Sequence, residues 1–272
     1  MAGNKDGRSK GRRGRPRHGQ RRETPRRTGE DRTAGRKERS GGGAPRSQRG
    51  GKRRRDLKGA AVNLPNFVVE ALERVTPAER VAAALEALGE ASAAMADGRY
   101  HAAVKHARRA KELAPNDATV RETLGLAAYR IGDWQTALRE LRAYRRMAGD
   151  TTHLPVEMDA LRALGRDRDV SKAWEELQRR GGRPQVLKEG AVVYASHLLD
   201  RGDAREAWEI TRPGRMTDEA HEADLRTWYV AARAAARLGD AETARKIADT
   251  IVRLDPGFPG LDQLDREIAA AR

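Results

Sequence analysis

The side chains in this sequence that could take part in chemistry are mainly arginines and carboxylates. Arg226, Arg233 and Arg237 are spaced so that they share one face of a helix. A guanidinium group binds a carboxylate through two parallel hydrogen bonds, a geometry that a lysine does not offer. The spacing therefore favours a surface that binds an acidic or C-terminal peptide segment and carries out no covalent chemistry, and the alternative is an ordinary solvated helix face.

Patterns typical of catalytic or metal sites are absent from the sequence. We find no G-x-x-x-x-G-K-[ST], no G-x-G-x-x-G after a strand and no G-x-S-x-G. Glu175 and Glu176 are adjacent on a predicted helix, so they do not face one cleft. There is no Cys, and the histidines lack metal-ligand spacing. We predict that the protein is not an enzyme, has no small-molecule substrate and needs neither a cofactor nor a metal.

The positive charge is concentrated at the N-terminus. Residues 1–58 contain 22 Lys or Arg and six acidic residues, a net charge of +16, whereas the other 214 residues carry 33 basic and 34 acidic side chains. The densest basic clusters comprise Arg12, Arg13, Arg15, Arg17, Arg21, Arg22, Arg26, Arg27, Lys52, Arg53, Arg54 and Arg55. The remainder of the chain is therefore close to neutral.

The first 60 residues contain no aromatic and few apolar side chains. Such a segment buries too little surface to offset the entropy of ordering its backbone, so we predict a disordered tail over 1–60. Its charge favours non-specific binding of RNA or DNA through phosphates, without base stacking. The alternative is a tail that only keeps the protein soluble.

Beyond the tail, the apolar spacing becomes helical. A leading helix is predicted within 61–76, and Thr76 is predicted to cap the next helix, with Pro77 at its first position. At the other end, residues 259–272 place apolar side chains on one face and are predicted to form a capping helix. Helical repeats are expected between them, over 77–258.

One short phrase, glycine followed five residues later by alanine, recurs through the predicted repeats. The recurring alanines are Ala103, Ala137, Ala173, Ala207 and Ala244, separated by 34, 36, 34 and 37 residues. Glycines precede four of them, at Gly98, Gly132, Gly202 and Gly239. The pattern predicts helix–turn–helix units, in which glycine permits a left-handed turn and alanine lets two helices approach closely.

These residues resemble the tetratricopeptide repeat family, whose pattern W-x2-L-G-x2-Y, then A, F, A and P, spans 34 positions. The matches are strongest in 84–117, 118–151 and 225–258, and weaker in 154–187 and 188–221. Further matching positions are Pro115, Gly125, Trp228 and Pro256. The layout is similar to that of tetratricopeptide-repeat proteins of high-GC bacteria. The resemblance implies an all-α solenoid of about five repeats.

In this family, fixed positions of each first helix line a concave groove that binds a protein or peptide. Carried over by position, these are Tyr129, Arg130, Arg162, Arg166, Ser196, Arg226, Tyr229, Arg233 and Arg237, with Thr119, Glu122, Leu126, Glu189, Val192 and Asp200 also implied. The resemblance thus implies a groove rich in arginine, with Tyr129 and Tyr229 as anchoring surfaces.

Together these features predict a scaffold or adaptor protein that binds a protein partner in the groove and RNA or DNA through the tail. The absence of Cys and of an apolar run of about 18–20 residues suits a cytoplasmic protein that does not enter a membrane. Two alternatives remain: a purely protein-binding scaffold with a solubilising tail, and binding of RNA by the groove itself.

Overall fold

The structure, a computed structural model, describes residues 59–271, which form α-helices and no β-strand. A 3₁₀ turn at Gly59–Asn63 precedes twelve helices in this part of the chain. The helices are α1 (Asn66–Val75), α2 (Ala78–Ala96), α3 (Tyr100–Leu113), α4 (Ala118–Arg130), α5 (Trp134–Ala148), α6 (Leu154–Ala163), α7 (Asp167–Arg180), α8 (Pro184–Asp200), α9 (Ala204–Thr211), α10 (Glu222–Arg237), α11 (Ala241–Leu254) and α12 (Leu261–Ala270). The all-α prediction is confirmed for these residues, whereas the basic clusters of the tail lie outside them.

Ten of these helices form five pairs, α2–α3, α4–α5, α6–α7, α8–α9 and α10–α11. Each pair is joined by three residues, and the middle residue is a glycine in the left-handed region. These glycines are Gly98, Gly132, Gly165, Gly202 and Gly239, with φ between +66° and +88°. A side chain at such a position is strained, so glycine reverses the chain in the least space. The predicted corners are confirmed, and Gly165 adds one that the sequence pattern missed.

The missed corner shows that Ala173 is not the residue that follows the corner glycine by five positions in the third pair. Five residues after the corner glycine, the other pairs carry a fully buried alanine, at Ala103, Ala137, Ala207 and Ala244. Five residues after Gly165 lies Val170, which is also fully buried. Ala173 belongs to the same core but lies three positions further along. The alanine spacing did not predict this corner, because the residue five positions after its glycine is a valine instead of an alanine.

Close approach within a pair is clearest at Gly125 of α4. A Cβ atom placed there would lie 2.7 Å from Cγ and Cδ2 of Leu141 on α5, which is itself fully buried. The space next to the glycine is thus already filled by the partner helix, as expected where two helices pack tightly. Gly125 is required for packing rather than for a turn.

The core runs continuously from one helix pair to the next. Each helix packs on the following one, and first helices of successive pairs also pack together, as α6 does with α8 and α8 with α10. Side chains of α10 belong to two neighbouring core clusters, and Trp228 is among them. At the C-terminal end, Leu264 and Ile268 of α12 are buried against α10 and α11. Pro115 lies in the connection between the first two pairs, and Pro256 lies in the connection between α11 and α12.

One connection differs from the sequence-based prediction, and another is long. The helix after α1 begins at Ala78, with Pro77 rather than Thr76 in the capping position and no side-chain cap. The fourth pair has a short second helix, α9, which is followed by the ten-residue connection 212–221. This connection contains Pro213 and Gly214, which favour irregular backbone over helix. None of the helices in 59–271 is long and apolar enough to cross a membrane.

The misassigned cap leads to a prediction about stability. The Thr76 side chain is 93% buried, and its hydroxyl has no hydrogen-bond partner among the described residues. Thr76→Val keeps the volume and removes the unpaired hydroxyl, so it should raise the free energy of unfolding by about 1 kcal/mol. Urea denaturation measures this. Thr76→Ser, which keeps the hydroxyl, should not stabilise; equal effects of both changes would contradict the explanation.

Candidate functional site

A groove of about 480 Å³ lies among the first helices of four successive pairs, α4, α6, α8 and α10. Its lining residues are Tyr129, Thr152, Pro155, Val156, Asp159, Arg162, Gln185, Val186, Glu189, Val192, Val193, Ser196 and Arg226. Six of the residues predicted for the partner groove are among them, Tyr129, Arg162, Glu189, Val192, Ser196 and Arg226. Valines from α6 and α8 give the groove an apolar component, and charged side chains share its wall.

Tyr129 begins a chain of polar contacts along the groove. Its hydroxyl donates to Asp159 at 2.7 Å. Arg162 donates to the other oxygen of Asp159 at 3.0 Å and to Asp200 at 2.6 Å. Burial, together with the hydrogen bond to Asp159, raises the pKa of Tyr129, so the phenol stays neutral and acts as a donor. These contacts tie α4, α6 and α8 together and fix the orientation of the groove side chains.

A second ion pair lies across α8 and α10. Arg226 donates to Glu189 at 3.0 Å. The two arginines of the lining are therefore matched by two carboxylates, Asp159 and Glu189, and the groove wall has no net charge. The prediction of an arginine-rich surface open to an acidic peptide finds no support here, because both guanidinium groups already bind carboxylates of the chain.

Three other predicted groove residues lie against the C-terminal helix instead. Arg233 of α10 binds Glu267 of α12 through two nitrogen atoms, at 2.8 and 3.1 Å. Arg237 donates to the backbone carbonyl of Leu199 and lies 3.5 Å from Glu267. The hydroxyl of Tyr229 donates to the carbonyl of Gly260 at 3.3 Å. Because the capping helix occupies these side chains, they are not part of the groove lining.

The last two predicted residues also lie outside the groove. Arg130 donates to the hydroxyl of Tyr100 in the preceding pair, and its guanidinium carbon lies 4.4 Å from the centre of that ring. Arg166 follows α6 in the corner to α7 and pairs with Asp169 at 2.5 Å. It lines a separate cleft of about 510 Å³, the arginine cleft, which is formed by Gln135, Leu138, Arg139, Arg142, Arg146, Leu164 and Arg166.

Two buried carboxylates next to the arginine cleft were not predicted. Glu140 is fully buried and accepts from Lys111, Arg121 and Arg139. Burial would raise the pKa of Glu140, but these three cations outweigh it and leave the pKa below its ordinary value. Glu157 is 99% buried and accepts two hydrogen bonds from Arg145.

The sequence does contain a pattern that indicates polar contacts between helix pairs, although the pattern is not a short motif. Many polar side chains bind a group about one helix pair away: Lys111 and Glu140 are 29 residues apart, and Tyr129 and Asp159 are 30 apart. Arg233 and Glu267 are 34 apart. A search for opposite charges at one repeat spacing is therefore the pattern that would find them.

The described part of the chain shows no arrangement typical of a metal site, since no three His, Asp or Glu side chains in 59–271 cluster as ligands. No model of a known protein family matches the chain, and no curated protein is significantly similar to it. The groove and the arginine cleft are thus interpreted from their own geometry.

The contact between α10 and α12 generates a prediction with a defined pH dependence. Burial alone would raise the pKa of Glu267, but Arg233, Gln263 and Arg237 outweigh burial and lower it. Glu267→Gln should reduce the free energy of unfolding near neutral pH by about 1–2 kcal/mol, because Arg233 loses its charged partner.

The sign of this effect follows from the lowered pKa. The contribution of Glu267 is fully present above the ordinary pKa of a glutamate, about 4.3, and disappears as the pH falls through the lower folded-state pKa. Urea denaturation at several pH values measures the difference between the parent and Glu267→Gln, which should shrink towards acid pH. Glu242→Gln, which removes the exposed pair with Lys246, is the control and should change little. A difference that stays constant with pH would contradict the ion pair.

Proposed function

We propose that this chain is a non-enzymatic scaffold of tetratricopeptide-like repeats, with a groove that holds a segment of a protein partner. The basic N-terminal tail binds RNA or DNA without sequence preference. The observation that carries this proposal is the groove itself, which four successive first helices line with valines and with internally paired charges. Such a surface binds by shape and apolar contact, and its arginines and carboxylates act as fixed hydrogen-bonding groups at the rim.

The repeat interpretation is supported by the regularity of the five helix pairs. Each has the same three-residue corner with a left-handed glycine, and first helices of successive pairs pack together at α2–α4, α6–α8 and α8–α10. Tetratricopeptide solenoids have this organisation, in which a unit cannot bury its apolar face alone and stacks on the next. In such a stack the first helices form one continuous surface, which is where the groove lies.

The groove favours an amphipathic partner over a purely acidic one. Val156 and Val193 are half-buried, so they retain apolar surface for a ligand to cover. Arg162 and Arg226 already bind Asp159, Asp200 or Glu189. A peptide carboxylate would have to displace one of these partners, whereas an apolar side chain next to the valines displaces only water. The balanced charge also argues against RNA as the ligand of this groove, since phosphates require unpaired cations.

A double substitution in the groove tests the peptide site. The full chain is used to select peptides from a random library, and selected peptides are titrated against Val156→Gln/Val193→Gln. The variant should bind about tenfold or more weakly, because a polar amide replaces apolar surface at two contact points.

The matched control is Val252→Gln, which changes a 44% exposed valine of α11 outside the groove and should leave affinity unchanged. Peptides that bind the double variant and the parent equally would contradict the groove assignment. Selection of acidic sequences without apolar residues would support the charge-based hypothesis instead of ours.

The role of the tail is tested by its removal. A chain lacking residues 1–58 loses a net charge of +16, so its binding to a labelled RNA or DNA should weaken strongly. If about 6–10 phosphates are neutralised, binding of the full chain should also fall about 10³–10⁵-fold between about 50 and 200 mM salt. Electrophoretic mobility shift measures both effects. Equal affinities with and without the tail would rule out its role, and would favour the solubilising alternative.

A further inference from the structure

All the charged side chains that line the arginine cleft are positive. Arg139, Arg142 and Arg146 follow each other at intervals of three and four residues along α5, so they share a helix face. Arg166 joins them from the corner between α6 and α7. The other lining residues are Gln135 and two leucines, and none of the residues that line the cleft is a carboxylate.

The carboxylates near this cleft are too few to neutralise it. Glu140 is shared by three cations, Lys111 at 2.7 Å, Arg121 at 2.6 Å and Arg139 at 2.8 Å. A single negative charge cannot balance three positive ones, so positive charge remains. Arg139 is the outermost of the three, with 59% of its side chain exposed, whereas Glu140 is inaccessible.

A second buried carboxylate near the cleft, Glu157, is shared by two cations, of which Arg145 also pairs with Glu176 at 2.5 Å. Glu157 binds Arg145 at 2.8 Å and lies 3.7 Å from Arg142, so Arg142 is its distant second partner. Arg146 is exposed and forms no ion pair with the residues that the structure describes. Arg166 has a full partner in Asp169, yet 45% of its side chain remains exposed. The excess positive charge therefore resides mainly on Arg139, Arg142 and Arg146.

We infer that the arginine cleft binds the phosphodiester backbone of a nucleic-acid strand. Arginine binds phosphate through paired hydrogen bonds, and a cluster of arginines with unneutralised charge is the arrangement that releases counterions on binding. From Arg139 to Arg146 the helix rises about 10 Å, so the three guanidinium groups are spread along a line that can follow the backbone of one strand. No aromatic side chain lines the cleft, so it recognises the backbone and not the bases.

A nucleic acid fits this cleft better than an acidic protein segment does. The same chain carries a tail with a net charge of +16, which has the same preference for a polyanion. One strand that contacts both the tail and the cleft gains affinity from two weak sites. The arginine cleft and the groove share no lining residue, so this inference does not depend on the peptide site.

Arginine footprinting on the full chain tests the site directly. The protein is modified with phenylglyoxal in the presence and absence of a 12-nucleotide single-stranded RNA, and in a second arm the corresponding DNA, and labelled residues are identified by mass spectrometry. Arg139, Arg142 and Arg146 should be protected several-fold more than Arg205, Arg215 and Arg266, which are exposed arginines outside the cleft. Equal protection of the two sets would overturn the proposal. Protection in both arms indicates a site for the shared backbone, and protection by RNA alone indicates a contact to the 2′-hydroxyl.

A charge-matched pair of variants gives the second measurement. Arg139→Ala/Arg142→Ala/Arg146→Ala in the full chain should bind RNA about tenfold or more weakly, with the slope of log K against log salt reduced by about two, since about 0.7 is lost per phosphate contact. Arg205→Ala/Arg215→Ala/Arg266→Ala removes the same charge elsewhere and should change neither. Equal slopes for the two variants would overturn the proposal. Both variants keep the tail, so the comparison between them does not depend on its contribution. If the cleft variant fails to fold, the arginine footprint of the parent chain decides whether the cleft binds nucleic acid.

Discussion

Every helix pair in this chain depends on its neighbours to cover its apolar face. The core clusters follow one another along the sequence, and α10 contributes to two of them because one of its faces packs towards α8 and another towards α12. Several polar contacts between helix pairs follow the same constraint, with partners 29–38 residues apart. Stability therefore depends on contacts between adjacent units, and a side chain on one pair is positioned by the pair before or after it.

This constraint explains which parts of the fold could be predicted from the sequence. The corners are local: a glycine in a left-handed conformation and a small buried residue five positions later are defined by backbone sterics and by the approach of two helices. Four of the five follow the alanine version of this pattern. The fifth has Gly165 with Val170, so a search by residue type failed although the geometry is the same. The cap at Thr76 failed because helix α2 begins one residue later than the capping pattern indicates, at Ala78 instead of Pro77.

The candidate site could be predicted only in part, because a side chain's partner is not a local property. Counting helix positions identified Tyr129, Arg162, Ser196 and Arg226, which line the groove. The same count included Arg233 and Arg237, which resemble Arg226 in type and spacing. Their environment differs because α12 adds Glu267 at this end of the repeats, in place of the open side that a middle pair offers to a ligand. Helix positions carried over from a repeat family do not indicate that Glu267 lies next to these arginines.

In a chain with so many arginines, the number of carboxylates within reach decides what each arginine can do. In the groove each arginine has at least one carboxylate partner, so the guanidinium groups link neighbouring helices and carry no unmatched charge. Around α5 the carboxylates are buried and shared by two or three cations, which leaves charge at the surface. The groove and the arginine cleft differ because Glu140 and Glu157 are buried. A buried carboxylate binds the nearest cations and cannot turn outward to neutralise the remaining arginines of the cleft. The arginine cleft is thus a consequence of how the core is packed, and its charge cannot be inferred from the nearly neutral composition of residues 59–271.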